Sequence, residues 1–280
     1  MALFVEIFFL QFEKYQNEDH LFFNNLNLKK FQTYTWADTN NNVLKLAKFL
    51  NEKKIIKGDR VLLVSENRPE WLIADLAILL NSAITVPNYT TYTVNDFAFT
   101  INDCKPSGLI VSSPQLLKNI LLAARKINYN FNFIILLNET NEVVADNVIN
   151  FSTIIEKKID IEETKIFFKK INTSLIRKDP ACIIYTSGTQ GTPKGVVLSH
   201  GGILKNCEGA LEFLYFIKEQ QNTFVTWLPL SHSYEHTVQF VQLSLGAKIF
   251  YSESLDKLLA NLKIARPTIM TAVPRFYTNL

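Results

Sequence analysis

Cysteine is scarce in this chain. There are three, Cys104, Cys182 and Cys207, in 280 residues. The number is odd and no two fall at metal-ligand spacing, so the sequence offers no disulfide framework and no cysteine-built zinc site. They read as reduced, buried thiols of a cytosolic protein. An excess of one charge is also missing: 29 basic residues face 26 acidic ones, for a net charge of +3. Basic residues gather only in short pairs such as Lys53-Lys54 and Lys157-Lys158, so no nucleic-acid partner is expected. No apolar run has the make-up of a membrane span. The best candidate, residues 71–87, contains Asp75 and Asn81 and reads as a helix running into a strand. The N-terminal MALFVEIFFLQF is short and interrupted by Glu6. It has no basic n-region and no small-residue cleavage site, so it is not read as a signal peptide. Internal repeats and low-complexity segments are absent. So are the G-x-G-x-x-G fingerprint of dinucleotide sites and the G-x-x-x-x-G-K-[ST] loop of P-loop proteins.

What is present is an ordinary globular composition, 48% hydrophobic and 20% charged, with room for one large domain or two smaller ones. Apolar β-rich runs alternate with helical patterns. Thr35 and Asp38 make a capping-box signal for a helix whose apolar face carries Val43, Leu44, Ala47 and Leu50. The turn Lys57-Gly58-Asp59 leads to a strand over 60–65, and Pro69 opens a helix to Leu80. A short strand over 83–86 is read as stopped by Pro87. Thr93 caps a helix reaching Cys104, and Ser113-Pro114 starts another to about Ile127, with strands at 108–111 and 131–137 between and after them. Residues 138–178 are polar and mixed and read as connecting structure. Strands follow at 181–185, 195–198 and 223–228, with a helix over 202–217 and two further helix–strand units ending near Thr271. Strands spaced by helices of this length predict βαβ units. The fold class is α/β, with layered parallel or mixed sheets and flanking helices.

The chemically richest stretch lies between two of these strands: Thr186-Ser187-Gly188-Thr189-Gln190-Gly191-Thr192-Pro193-Lys194. Glycines allow backbone N–H groups to turn inward and approach anionic oxygens. The hydroxyls donate further hydrogen bonds, and one lysine brings a mobile positive charge. A plain glycine-rich hairpin would need far fewer hydroxyls. The composition therefore points to a polyphosphate grip. Lys194 is followed by Gly195 and a second strand rather than by a hydroxyl residue and a long helix, which separates it from the common P-loop.

The run TSGTQGTPKG resembles the phosphate-loop signature of the adenylate-forming superfamily, which includes acyl-CoA synthetases, luciferases and peptide-synthetase adenylation domains. Gln190 departs from it, standing where that family usually has a small hydroxyl residue. Four further segments are similar to the long-chain acyl-CoA synthetase branch and occur in its order: Glu66-Asn67-Arg68-Pro69-Glu70-Trp71, Ala83-Ile84-Thr85-Val86-Pro87-Asn88-Tyr89, Leu228-Pro229-Leu230-Ser231-His232-Ser233-Tyr234-Glu235-His236, and 266–277. The resemblance runs from about Thr35 onward.

It implies that Ser187, Gly188, Thr189, Gly191, Thr192 and Lys194 hold the β- and γ-phosphates of ATP, and that Thr186 touches Mg2+. It places His232 near the substrate carboxylate and the α-phosphate, with Lys194 and His232 as the catalytic pair, and His236 at the mouth of an acyl tunnel. The implied substrates are a fatty acid, ATP and coenzyme A. The implied setting is cytoplasmic, with peripheral contact at the inner membrane face.

The family's Tyr-Gly-x-Thr-Glu segment, its ribose-binding Thr-Gly-Asp segment, its hinge and its small C-terminal domain do not occur in the 280 residues. Residues 1–280 are thus expected to be an incomplete AMP-binding domain, inactive alone, with a complementing chain as one route to the rest. A rival reading takes His232-Ser233-Tyr234-Glu235-His236 as an H-x-x-E-H zinc-hydrolase motif, with both histidines on one helix face.

Overall fold

The computed structural model describes residues 4–25, 30–139, 147–186, 193–217, 221–252 and 254–278. Twelve strands are found among them: β1 (Asp19–Asn25), β2 (Lys30–Thr35), β3 (Arg60–Val64), β4 (Ile84–Asn88), β5 (Gly108–Val111), β6 (Phe133–Leu136), β7 (Val148–Asn150), β8 (Pro180–Thr186), β9 (Lys194–Ser199), β10 (Thr223–Thr226), β11 (Lys248–Tyr251) and β12 (Ile269–Met270). They form two sheets, ordered β12-β10-β11-β1-β2 and β7-β6-β5-β3-β4-β8-β9. Both are mixed. Pairing is parallel except for β1 with β2 and β8 with β9.

The chain divides into two compact units. One comprises residues 41–66 and 70–202, the other residues 1–40, 67–69 and 203–280. The first is built on the seven-stranded sheet. Its inner strands read as nearly continuous apolar runs because helices cover both faces. Leu62, Val64, Leu109, Val111, Ile134 and Leu136 are buried against Phe97, Ile101, Leu117 and Ile120 of the helices Val94–Cys104 and Pro114–Lys126. Local sequence sets the helix starts. Thr93 and Asp96 form a reciprocal capping box, and Ser113 caps the next helix, with Pro114 in its first turn. In the second unit, Thr35 and Asp38 exchange the same pair of bonds ahead of the helix Trp36–Glu52, which continues into the first unit.

Three expectations are corrected. Pro87 does not stop its strand: β4 runs on to Asn88, with Pro87 in register with Leu63. A proline costs little where its missing N–H is not needed by a ladder, and the pairing of β4 with β8 is registered earlier, at Thr85 and Cys182. Residues 138–178 are more than connection. They hold β7 and the helices Phe151–Ile155 and Ile161–Ile171, the second capped by Asp160. The helix expected over 202–217 starts at His200, ends at Phe213, and is followed by a 3-10 turn, Tyr215–Ile217. The helix Phe4–Tyr15 and the antiparallel pair β1–β2 carry no clear sequence signal, because their aromatic and asparagine-rich segments have no clean periodicity.

Candidate functional site

The phosphate-loop candidate joins β8 to β9. Residues 187–192, and with them Ser187, Gly188, Thr189, Gly191 and Thr192, lie outside the described residues. The two ends of the loop are described. Thr186 is the last residue of β8, Lys194 the first of β9, and they face each other as a cross-strand pair. Both are exposed. A threonine hydroxyl and a lysine ammonium thus stand opposite one another at the mouth of a hairpin whose connection carries the remaining hydroxyls and glycines.

The stems of this hairpin are held in different ways. Tyr185, just before the loop, is buried, and its hydroxyl donates to Asp103 Oδ2 at 2.5 Å. Burial, together with that contact, pushes the phenol well above its ordinary range. Gly195 across from it is tightly packed: a Cβ there would lie 3.0 Å from Ile183 and 3.2 Å from the Tyr185 ring, so those neighbours would have to give way. At the far end, Pro180 pairs with Ser199, His200 N–H donates to Asp179 O, and Gly201 N–H donates to Arg177 O at 2.7 Å. A Cβ at Gly201 would lie 2.8 Å from that carbonyl. Asp179 is further fixed by Lys57 Nζ at 2.7 Å, which lowers its pKa. His200 is fully buried, and burial lowers its imidazole to about 4, so it is neutral at physiological pH. β4, from the segment 83–89, lies directly beside β8.

Residues 67–69 of the segment 66–71, and the segments 228–236 and 266–277, belong to the second unit. Asn67 brackets Pro229: its Nδ2 donates to Leu228 O at 2.7 Å and its Oδ1 accepts from Leu230 N–H at 3.1 Å. His232 is the N-cap of the helix Ser233–Ser244, its Nδ1 accepting from Tyr234 N–H. The proton of the neutral ring is then on Nε2, and the side chain is exposed. Glu235 is fully buried and accepts from Thr271 Oγ1 at 2.8 Å. Burial pushes its carboxyl up to about 8. His236 is buried and stacked on Phe240. Trp227 Nε1 donates to Thr271 O and its ring packs on Phe276. Gln242 bonds Thr226, and Gln239 accepts from Tyr251, completing a polar layer inside the unit.

The H-x-x-E-H histidines therefore occupy unlike positions, one exposed at a cap and one internal. Among the described residues, no three histidine, cysteine, aspartate or glutamate side chains gather to hold a metal. The supports Asp103 and Asp179 carry no local sequence signal, and Thr271, although within the segment 266–277, carries none of its pairing with Glu235; each lies tens of residues from its partner.

A family model described as AMP-binding enzyme matches residues 8–280. The chain belongs to the AMP-binding enzyme family. Among curated relatives, it is 32% identical over 227 residues to the long chain acyl-CoA synthetase 7, peroxisomal, of Arabidopsis thaliana, a match covering 80% of this chain and 32% of that protein. It is 28% identical over 222 residues to the long-chain-fatty-acid–CoA ligase 6 of Homo sapiens, covering 77% and 32%. The chain thus spans about a third of the length of these AMP-binding relatives. The fold is similar to that of the luciferase-like enzyme from the nonluminescent Zophobas morio mealworm, with a TM-score of 0.82 at 18% identity, over 99% of this chain and 61% of that one.

Proposed function

We propose that these 280 residues form the leading part of an ATP-dependent long-chain fatty acid–CoA ligase, with the hairpin 186–194 as its grip on the polyphosphate. The observation that carries this reading is the exposed cross-strand pair Thr186 and Lys194 closing a loop of hydroxyls and glycines. The names of the curated relatives support the substrate class.

The reaction has two steps. An oxygen of the fatty carboxylate attacks the α-phosphorus of ATP, forming the acyl-adenylate as the bond to pyrophosphate breaks. The thiol sulfur of coenzyme A then attacks the acyl carbon, loses its proton, and AMP leaves. Lys194 and the donors at Ser187, Gly188, Thr189, Gly191 and Thr192 neutralise charge on the departing pyrophosphate. His232, exposed at a helix N-terminus, is the candidate contact for the substrate carboxylate and α-phosphate, where partial positive charge favours anions. His236 is internal, so in this reading it shapes an acyl tunnel through packing rather than by ionising. Thr186 offers Mg2+ one neutral hydroxyl, a fit for an ion held chiefly by the polyphosphate itself. When bound, Mg2+ screens the phosphate charge.

None of the family's ribose-binding, hinge or lysine-bearing C-terminal segments lies within the 280 residues. We read residues 1–280 as the phosphate-gripping portion of such a ligase, with nucleotide binding as the activity to test on these residues. No helix among the described residues is long and apolar enough to cross a membrane. Peripheral contact is proposed only because the substrates are lipids. The test is calorimetric titration of the 280-residue chain with MgATP and with pyrophosphate. Binding that Lys194→Ala abolishes supports the reading, and unchanged binding in that variant overturns it.

A further inference from the structure

Tyr185 sits directly beneath the proposed grip. Its cross-strand partner is Gly195, and the next pair toward the loop is Thr186 with Lys194. Consecutive side chains on a strand point to opposite faces. Tyr185 belongs to the buried cluster under the helices Val94–Cys104 and Pro114–Lys126, while Thr186 is exposed. Gly195 offers no side chain to pair with the tyrosine. A Cβ there would lie 3.2 Å from Cζ of the Tyr185 ring, so the ring itself covers the glycine. An aromatic ring laid over a glycine on the neighbouring strand pins the register of the pair. Among the described residues, β9 has a strand partner on one side only, β8. Its register with β8 therefore sets where Lys194 stands.

The ring is in turn held by the helix Val94–Cys104 at two points one turn apart. Phe99 meets it edge-on, with centroids 6.1 Å apart and planes at 90°, and Asp103 Oδ2 accepts from its hydroxyl at 2.5 Å. Core packing accounts for Phe99 but not for Asp103. A phenylalanine at 185 would fill the same cluster with no hydroxyl to satisfy. A carboxylate in the last turn of a helix is opposed by the helix dipole, and Asp103 stands there, exposed. The end of that helix is itself pinned. Arg60, the first residue of β3, donates from Nε to Cys104 O at 2.8 Å and from Nη2 to Lys105 O at 3.0 Å. Terminal carbonyls of this kind have no partner within their own helix. Contacts thus run without a break from β3 through the helix end and Asp103 to the Tyr185 ring, Gly195 and Lys194.

We propose that Asp103 is a positioning residue for the polyphosphate grip: by tethering the Tyr185 hydroxyl it holds the ring against Gly195 and so keeps Lys194 opposite Thr186. The inference rests on the reading of 186–194 as that grip. A stem ordered before the nucleotide arrives has less conformational freedom to lose on binding. The tether therefore acts on affinity without touching the ligand.

The test combines calorimetric titration of the 280-residue chain with MgATP and hydrogen exchange without nucleotide. Asp103→Ala should weaken MgATP binding about fivefold or more, the worth of one hydrogen bond. In the same variant, amides of 194–199 should exchange about fivefold faster, with those of β5 and β6 unchanged. Asp103→Asn keeps an acceptor and should bring both readings back to within about twofold of the unaltered chain. Tyr185→Phe keeps the ring and removes the donor. It should match Asp103→Ala, and combining the two should cost nothing further. A bond that only stabilises the fold would lower the melting temperature and leave the affinity of the folded chain alone. Affinity and exchange of folded Asp103→Ala equal to those of the unaltered chain overturn the proposal. So does Asp103→Asn behaving like Asp103→Ala. If the unaltered chain binds no MgATP, or Lys194→Ala binds it equally well, the grip reading falls. The exchange comparison then still decides whether Asp103 orders β9.

Discussion

The two polar motifs of this chain look alike in sequence and differ in structure. The hairpin 186–194 presents its described polar ends, Thr186 at the end of β8 and Lys194 at the start of β9, to solvent. In the motif 228–236 the second half turns inward while His232 stays exposed. Glu235 and His236 are buried, Glu235 is bonded to Thr271, and His232 spends its Nδ1 on a helix cap. A dense run of hydroxyl, histidine and acid residues can therefore mean either a surface that waits for a charged ligand or an internal frame tied to the rest of the fold, as Glu235 is to Thr271. The discriminating quantity is what loss of one polar group does to stability: little in the first case and much in the second.

That contrast can be broken by substitution. The largest effect is expected at Glu235. Glu235→Ala leaves the Thr271 hydroxyl without its acceptor and opens a cavity, and should cost about 2 kcal/mol or more in urea unfolding. An unchanged midpoint would mean the motif is not a frame. The pH dependence is next. The folded carboxyl titrates at about 8 against an ordinary value of 4.5, so between those values the folded state holds more protons than the unfolded one. Stability contributed by this group is fully present below about pH 4.5 and declines as pH rises to about 8, by up to ~1.4 kcal/mol per pH unit. Glu235→Gln, which keeps an acceptor for Thr271, should remove that slope from the difference between the two proteins. His232→Ala removes a helix cap and should cost about 1 kcal/mol, most of it restored by Asn. Thr186→Ala should shift stability by less than about 0.5 kcal/mol while weakening MgATP binding several-fold.

Much of the first unit was legible because its signals are local. Capping residues at Thr93 and Ser113 mark helix starts, and continuous apolar runs such as Leu109-Ile110-Val111 mark covered strands. The hairpin was legible because glycine, hydroxyl and lysine content constrains chemistry as well as shape. Pro87 misled because a proline reads as a stop in sequence, whereas only the position of the neighbouring ladder decides its cost. The segment 138–178 misled because its helix Ile161–Ile171 buries only a narrow stripe, Thr164, Lys165 and Phe168. The inward turn of Glu235 was not legible at all. Its partner Thr271 lies on a segment after β12, and nothing near either residue in the sequence announces the pairing.

The central claim is that the nucleotide is gripped at the exposed hairpin and not at the buried motif. Hydrogen exchange of the 280-residue chain with and without MgATP tests it most directly. Added protection is expected in peptides spanning 183–197, lost in Lys194→Ala, with peptides spanning 236–244 unchanged. Protection confined to 236–244, or persisting across 183–197 in the Lys194→Ala chain, would contradict it.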